Sequence, residues 1–166
     1  IAERHVNSML LGIFIRSIEN AKRGLNIKQN LSEFFFDNPP TIGESFLNWL
    51  DGLLDRNDSE KIKINTQLKS LVWGTPIDSE SNVLIENVTK EFKSLVHKTV
   101  AQKNTFEKKL EELDKEFGNN SPAYKAVNYR SAQFRKKFAL SYLAESGFLP
   151  NAGLPTGIVE FENTSI

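Results

Sequence analysis

The stretch from Asn82 to Phe117 contains neither proline nor glycine, and its apolar residues recur at helical spacing. Intervals of three and four residues separate the seam positions, which are Val88, Phe92, Leu95, Thr99, Gln102, Phe106, Leu110, Leu113 and Phe117. This is a heptad pattern with one extra residue between Phe106 and Leu110. The stretch therefore predicts one helix about 50 Å long, which needs a second helix along its seam. The polar seam residues Thr99 and Gln102 either set the register of that pair or mark a polar site.

The sequence GNNSP, residues 118–122, is typical of a helix end followed at once by a new helix. Gly118 can adopt the left-handed conformation of a helix C-terminus, Ser121 can cap the next helix, and Pro122 fits its first turn. A second long helix, Pro122 to Ser146, is predicted to pack antiparallel on the first. The predicted core residues of this hairpin are Phe92, Phe106, Phe134 and Phe138.

Three shorter helices are predicted before the hairpin, over Ala2–Leu25, Thr41–Asp55 and Ile62–Trp73. The second begins with TIGE, whose spacing predicts that the Thr41 side chain caps the backbone amide of Glu44. Before it, the run Phe34–Phe36 followed by Pro39 and Pro40 predicts a buried turn. The predicted fold class is all-α, a helical bundle with a long antiparallel hairpin and a short extended segment at the C-terminus.

Residues 1–147 are predicted to form the helical domain, and residues 148–166 a turn rich in proline and glycine that connects to a following domain. Gly147 ends the last predicted helix, and the run Ile158–Phe161 is typical of a short strand. The chain begins with Ile1 rather than methionine, and it ends soon after that run. We therefore expect it to be a piece of a longer protein, although a processed N-terminus would give the same start.

The residue types that are absent from the chain, and the spacing of those that are present, exclude several catalytic chemistries. The chain has no cysteine, which excludes disulfides, thiolate nucleophiles and cysteine-bound metals. His5 and His97 lie far apart and outside any metal-binding spacing. The acidic run EELDKE, residues 111–116, alternates with lysines and indicates a solvated helix face. The sequence accordingly predicts no catalytic residue, no metal site and no cofactor in this chain. A further hypothesis, that the chain is a small enzyme of an unrecognised kind, has no arrangement of catalytic residues to support it.

An apolar fraction of 39% and a charged fraction of 25% are ordinary for a globular protein. No apolar run approaches the roughly 20 residues that a membrane-spanning helix needs, and the N-terminus lacks the pattern of a signal peptide. We therefore expect a cytoplasmic protein without a membrane partner.

Basic and acidic residues number 21 each, but they are unevenly placed. Residues 37–60 include six acidic residues and one basic residue, whereas residues 121–147 include five basic residues and one acidic residue. In the latter segment, NYRSAQFRKKF interleaves aromatic residues with four cations, which are Arg130, Arg135, Lys136 and Lys137. Clustered cations can follow a nucleic-acid backbone, since each neutralised phosphate releases counterions. The same residues could instead form a solvated helix face that balances the acidic segment.

Two stretches at the ends of the chain also carry a family resemblance. Residues 141–161, SYLAESGFLPNAGLPTGIVEF, contain a G-x-L-P turn followed by a second proline and a strand-like run. The matching residues are Gly147, Leu149, Pro150 and Pro155, while Leu154 stands where an aromatic residue is expected. The start RHVNSMLLGIFI, residues 4–15, is similar to the helix containing arginine and asparagine that opens the corresponding region of the same family. Together they resemble the accessory helical region that follows the motor domains in large bacterial DEAD/DEAH-box helicases of superfamily two.

This resemblance implies an accessory domain of an ATP-dependent helicase or translocase, similar to those of DNA repair and phage defence. Its role would be to position nucleic acid or to brace the motor against a neighbouring domain. ATP and Mg²⁺ would belong to the parent helicase, because the chain has no GK[ST] loop and no DExH box. The rival hypothesis is a helical scaffold that docks a protein through its apolar seam, without nucleic-acid contact. An exposed cationic strip would favour the first hypothesis, and an exposed apolar strip the second.

Overall fold

A computed structural model describes residues 2–21 and 29–150, the side chains of residues 19–21 excepted. The helices are α1 (Ala2–Ala21), α2 (Ile42–Leu54), α3 (Ser59–Val72), α4 (Ser81–Phe117), α5 (Pro122–Lys136) and α6 (Ala139–Glu145), and a π-helical turn spans Ser32–Phe36. These residues form no strand, only a bridge between Asn30 and Phe138. The fold is all-α, as the sequence predicts. The predicted strand Ile158–Phe161 and the predicted helix end at Leu25 lie outside the described residues.

The core lies between α1, α2, α3 and the first half of α4, with Phe92 of α4 at its centre. The Phe92 ring is fully buried, and its centroid lies 5.0 Å from that of Phe46 in α2 and 5.3 Å from that of Phe148 after α6. Phe35 of the π-helical turn stacks on the same ring at 6.1 Å. The predicted burial of the Phe34–Phe36 run therefore holds for Phe34 and Phe35, while Phe36 is half-buried. Apolar burial of this kind is the main favourable term in folding.

Side-chain caps set where α2 and α3 begin. The Thr41 hydroxyl accepts a hydrogen bond from the Glu44 amide at 3.1 Å, which confirms the predicted start of α2. The Asp58 carboxylate accepts from the Lys61 amide at 2.9 Å, so α3 begins at Ser59, earlier than the predicted Ile62. Asp58 also accepts from the Arg56 guanidinium at 2.7 Å, and this hydrogen bond lowers the pKa of the Asp58 carboxyl below its ordinary value.

The antiparallel hairpin of α4 and α5 is confirmed, with the turn where the sequence predicts it. Gly118 has a φ of +84° and a ψ of 161°, a positive-φ extended conformation that glycine adopts without steric cost. The Ser121 hydroxyl accepts from the Tyr124 amide at 3.2 Å and so caps α5. Along the shared seam, the rings of Phe106 and Phe134 lie 5.7 Å apart.

The predicted helix from Pro122 to Ser146 is wrong, because the chain is extended at Lys137 and Phe138. The segment before the π-helical turn pairs with it there. The Leu31 amide donates to the Lys137 carbonyl at 3.0 Å, and the Ala139 amide donates to the Gln29 carbonyl at 2.9 Å. These two hydrogen bonds replace helical ones, so the chain forms two helices, α5 and α6, instead of one.

The hairpin seam is only partly buried. Phe92 and Phe134 are buried as predicted, whereas Phe106 and Phe138 are half-buried at the edge of the core. Gln102 and Phe117, both placed in the predicted seam, are exposed. A helix with 3.6 residues per turn drifts away from a 3.5-residue seam, and Phe117 lies at the tip of the hairpin, where the turn does not cover it.

Thr99 is the polar seam residue that the fold does bury. Its hydroxyl donates to the Leu95 carbonyl at 2.7 Å and lies 2.8 Å from the Tyr142 hydroxyl. The hydroxyl therefore joins α4 to α6. Of the two roles considered for the polar seam residues, register or a polar functional site, this contact is the structural one.

Candidate nucleic-acid interface

Helix α5 carries four cations and no acidic residue. It buries Val127, Ser131 and Phe134 toward α4. Since successive residues are rotated by about 100° on a helix, the residues opposite these three form one outward strip. That strip is exposed and comprises Lys125, Tyr129, Gln133 and Lys136, and the exposed Arg130 flanks it on one side. We call these five residues the outer face of α5.

Tyr129 lies in the middle of the outer face and is 66% exposed. Lys125 precedes it by one helical turn, and Lys136 follows it by two. Across the described ranges, no ion pair involves Lys125, Arg130 or Lys136. Three cations around an exposed aromatic ring, without an acidic neighbour in the same helix, form a surface that attracts anions.

Arg135 occupies a different side of α5. Its guanidinium donates to the Glu107 carboxylate of α4 at 2.9 Å and lies 5.7 Å from the centre of the Phe36 ring. Lys103 reaches the same carboxylate at 3.6 Å and the same ring at 5.3 Å. Arg135 thus fastens α5 to α4 and to the π-helical turn.

Lys137 lies just beyond α5, in the extended break. Its ammonium is 3.6 Å from the Glu145 carboxylate of α6 and 6.0 Å from the centre of the Tyr142 ring. Of the four cations predicted from sequence, the structure therefore leaves two exposed, Lys136 on the outward strip and Arg130 at its edge. It engages Arg135 and Lys137 in contacts within the chain.

Lys125 is the residue that the sequence prediction missed. It lies outside the run NYRSAQFRKKF, so a search for clustered cations passes over it. The helical period would have found it, because Lys125 and Tyr129 are four residues apart and Lys136 is eleven residues from Lys125. Adjacent cations such as Arg135 and Lys136, by contrast, point in directions about 100° apart.

The two stretches that carry the helicase resemblance meet in the structure. The buried amide of Asn7 in α1 donates to the Phe148 carbonyl at 2.9 Å and to the Glu91 carboxylate of α4 at 2.9 Å. Gly147 has a φ of +86°, and a β-carbon placed on it would lie 3.4 Å from a guanidinium nitrogen of Arg4. The opening helix and the G-x-L-P turn are therefore parts of one packed unit. Leu154 and Pro155 lie outside the described residues.

Comparisons of the chain with protein-family models, with curated proteins and with solved structures gave no match. The helicase resemblance thus rests on the motif residues themselves. Among the residues that the structure describes, no helix is long and apolar enough to cross a membrane. No group of three histidine or acidic side chains in those ranges could hold a metal ion.

Proposed function

We propose that this chain is an accessory helical domain of an ATP-dependent nucleic-acid helicase or translocase, and that the outer face of α5 contacts the phosphate backbone. The observation that carries the proposal is the acid-free outer face, with Lys125, Arg130 and Lys136 outside any ion pair in the described part of the chain. The packing of the Arg4–Ile15 helix against the Gly147 turn supports the resemblance on which the helicase assignment rests.

The chemistry of this face predicts how it binds. Exposed lysine and arginine side chains neutralise phosphates and release counterions, which gives affinity without base sequence preference. Glu107 already holds Arg135, so Arg135 positions α5 rather than contacting phosphate. Binding should therefore be weak, independent of sequence and strongly dependent on salt.

ATP and Mg²⁺ enter the proposal through the parent protein alone. This chain supplies no phosphate loop, and its role is to position nucleic acid or to brace the motor against a neighbouring domain. The site of action we propose is cytoplasmic.

The test is the salt dependence of oligonucleotide affinity, measured for the parent and for a variant carrying Lys125→Ala, Arg130→Ala and Lys136→Ala. The slope of log affinity against log salt is negative, and three lost phosphate contacts should lower its magnitude by about 2 to 3 units. The matched control carries Lys93→Ala, Lys98→Ala and Lys108→Ala, three exposed lysines of α4 with the same total charge change. Equal slopes for parent, variant and control would rule out the outer face of α5 as a phosphate track.

The alternative function is a protein-interaction scaffold, and one observation favours it. Phe117, at the tip of the hairpin, is 60% exposed although it belongs to the apolar seam of α4. An exposed phenylalanine at the end of a projecting hairpin is suited to insertion into a partner protein. If the oligonucleotide experiment detects no binding at all, this tip becomes the favoured functional surface.

A further inference from the structure

Helix α3 presents a second exposed surface, on the side away from the core. Its inward residues Ile64, Leu68 and Val72 are buried. On the opposite side lie Ile62, Thr66, Lys69 and Trp73, at intervals of four, three and four residues, which aligns them along the helix. Trp73 is 84% exposed, and Thr66, Lys69, Ser70 and Trp73 line an open groove of about 400 Å³. We call the four lining residues, Thr66, Lys69, Ser70 and Trp73, the Trp73 groove.

The two tryptophans of the chain differ in their surroundings. Trp49 is partly buried and packs against the core, with ring centroids 5.7 Å from Phe14 and 6.2 Å from Phe46. Trp73, with its indole ring outward, makes no ring contact of this kind with the described residues. An exposed ring of this size is a large apolar surface left in water, and such surfaces mark binding sites.

The charges around Trp73 indicate which ligand suits it. Residues 61–77 include three lysines and no acidic residue. Lys63 and Lys69 are exposed, whereas Lys61 is buried and donates to the Asn82 side chain at 2.9 Å. The acidic residues just before this segment, Asp58 and Glu60, are paired with Arg56 at 2.7 and 3.4 Å. Those just after it, Asp78 and Glu80, accept hydrogen bonds from the backbone amides of Glu80 and Val83.

An exposed indole beside exposed lysines and hydroxyl groups combines the two elements of single-strand recognition. Aromatic faces stack on bases, and cations attract the phosphates that link them. In a duplex the base faces are stacked on each other, so only a single strand offers one to Trp73.

We propose that Trp73 is a base-stacking site for single-stranded nucleic acid, with Lys69 and Lys63 contacting the adjoining phosphates. This inference rests on the proposed function in one respect, since both require that the chain binds nucleic acid. It concerns a different helix and a different contact, the base rather than the phosphate alone. It also adds a preference for single strands that the outer face of α5 does not supply.

Tryptophan fluorescence of the whole chain, titrated with an oligothymidylate of about 12 nucleotides, tests the stacking. Saturable quenching is expected for the parent. No quenching is expected for Trp73→Phe, in which Trp49 is the sole remaining indole. Trp73→Ala should weaken binding about five-fold to a hundred-fold, and Trp73→Phe less, because phenylalanine keeps a smaller stacking ring. Because Trp73 is exposed, both variants should unfold at the same denaturant midpoint as the parent.

An abasic oligonucleotide of equal length separates stacking from phosphate attraction. It keeps the phosphates but has no bases, so parent and Trp73→Ala should bind it equally. A duplex of the same length should leave Trp73 fluorescence unchanged. Equal affinity of parent and Trp73→Ala for oligothymidylate would overturn the inference, as would an equal loss with the abasic strand. The absence of quenching in the parent would also overturn it and would point to a protein partner for the Trp73 groove.

The variant lacking Lys125, Arg130 and Lys136 distinguishes this inference from the proposed function. If only the α5 interface is wrong, that variant binds and quenches like the parent, while Trp73→Ala loses affinity. If only the stacking site is wrong, Trp73→Ala binds like the parent, while the α5 variant loses affinity and salt dependence.

Discussion

The side-chain amide of Asn7 donates a 2.9 Å hydrogen bond to the carbonyl of Phe148, 141 residues later in the chain. Asn7 is 1% exposed, and the same amide also donates to Glu91 of α4. One side chain therefore joins α1, α4 and the turn after α6. Because Phe148 and Leu149 are buried beside it, this link determines how the end of the described chain enters the core.

Replacing Asn7 with leucine should lower the free energy of unfolding by about 1–3 kcal/mol, because the Phe148 carbonyl would lose its partner in a buried site. Denaturant titration measures the change. Asn104→Leu is the matched control, since Asn104 is exposed on α4 and the substitution should change stability by less than about 0.5 kcal/mol. An Asn7→Leu protein as stable as the control would show that the bond contributes nothing to folding.

Alanine substitutions of phenylalanines along α4 should follow burial rather than position in the heptad. Phe92→Ala should destabilise by about 3–5 kcal/mol, because it empties the centre of the core. Phe106→Ala should cost less, since that ring is half-buried, and Phe117→Ala should cost less than about 0.5 kcal/mol. Denaturant midpoints measure the order, and a Phe117→Ala change as large as that of Phe92→Ala would contradict it.

Local patterns predicted much of this fold, because local interactions determine many of its helix ends. Thr41, Gly118 and Ser121 act on neighbours within four residues, so their roles could be predicted from sequence. The break at Lys137 could not, because its cause is a hydrogen bond from Leu31, far away in the chain, and no proline or glycine marks it.

The candidate site shows the same division between local and distant causes. The cationic character of α5 is visible in its sequence, and the helical period could have added Lys125 to the predicted residues. The removal of Arg135 from the site depends on the register between α5 and α4, which places Glu107 opposite it. That register emerges only from the packed hairpin.

Amide hydrogen exchange tests the break between α5 and α6. The amides of Leu31 and Ala139 donate to Lys137 and Gln29, so they should exchange more slowly than the exposed turn amides of Asn119 and Asn120. If α5 continued as a helix to Ser146, the Leu31 amide would have no acceptor at Lys137. Exchange of the Leu31 amide as fast as that of Asn119 would therefore contradict the break and favour the single helix predicted from sequence.

Two glycines should respond to alanine with opposite signs. Gly118 has a φ of +84°, a ψ of 161° and open space around a β-carbon. Gly118→Ala therefore meets no clash but holds alanine in a positive-φ extended conformation that is essentially restricted to glycine. That conformation should lower the free energy of unfolding by about 1–3 kcal/mol. Gly52 lies inside α2, is exposed, and also has open space around a β-carbon. Gly52→Ala should therefore raise stability by about 0.5–1 kcal/mol, since alanine loses less conformational entropy in a helix.

Denaturant titration of both variants gives the two signs in one experiment. A Gly118→Ala protein at least as stable as the parent would mean that the hairpin turn does not need a glycine with positive φ at this position, and that Ser121 and the seam alone define the reversal between α4 and α5.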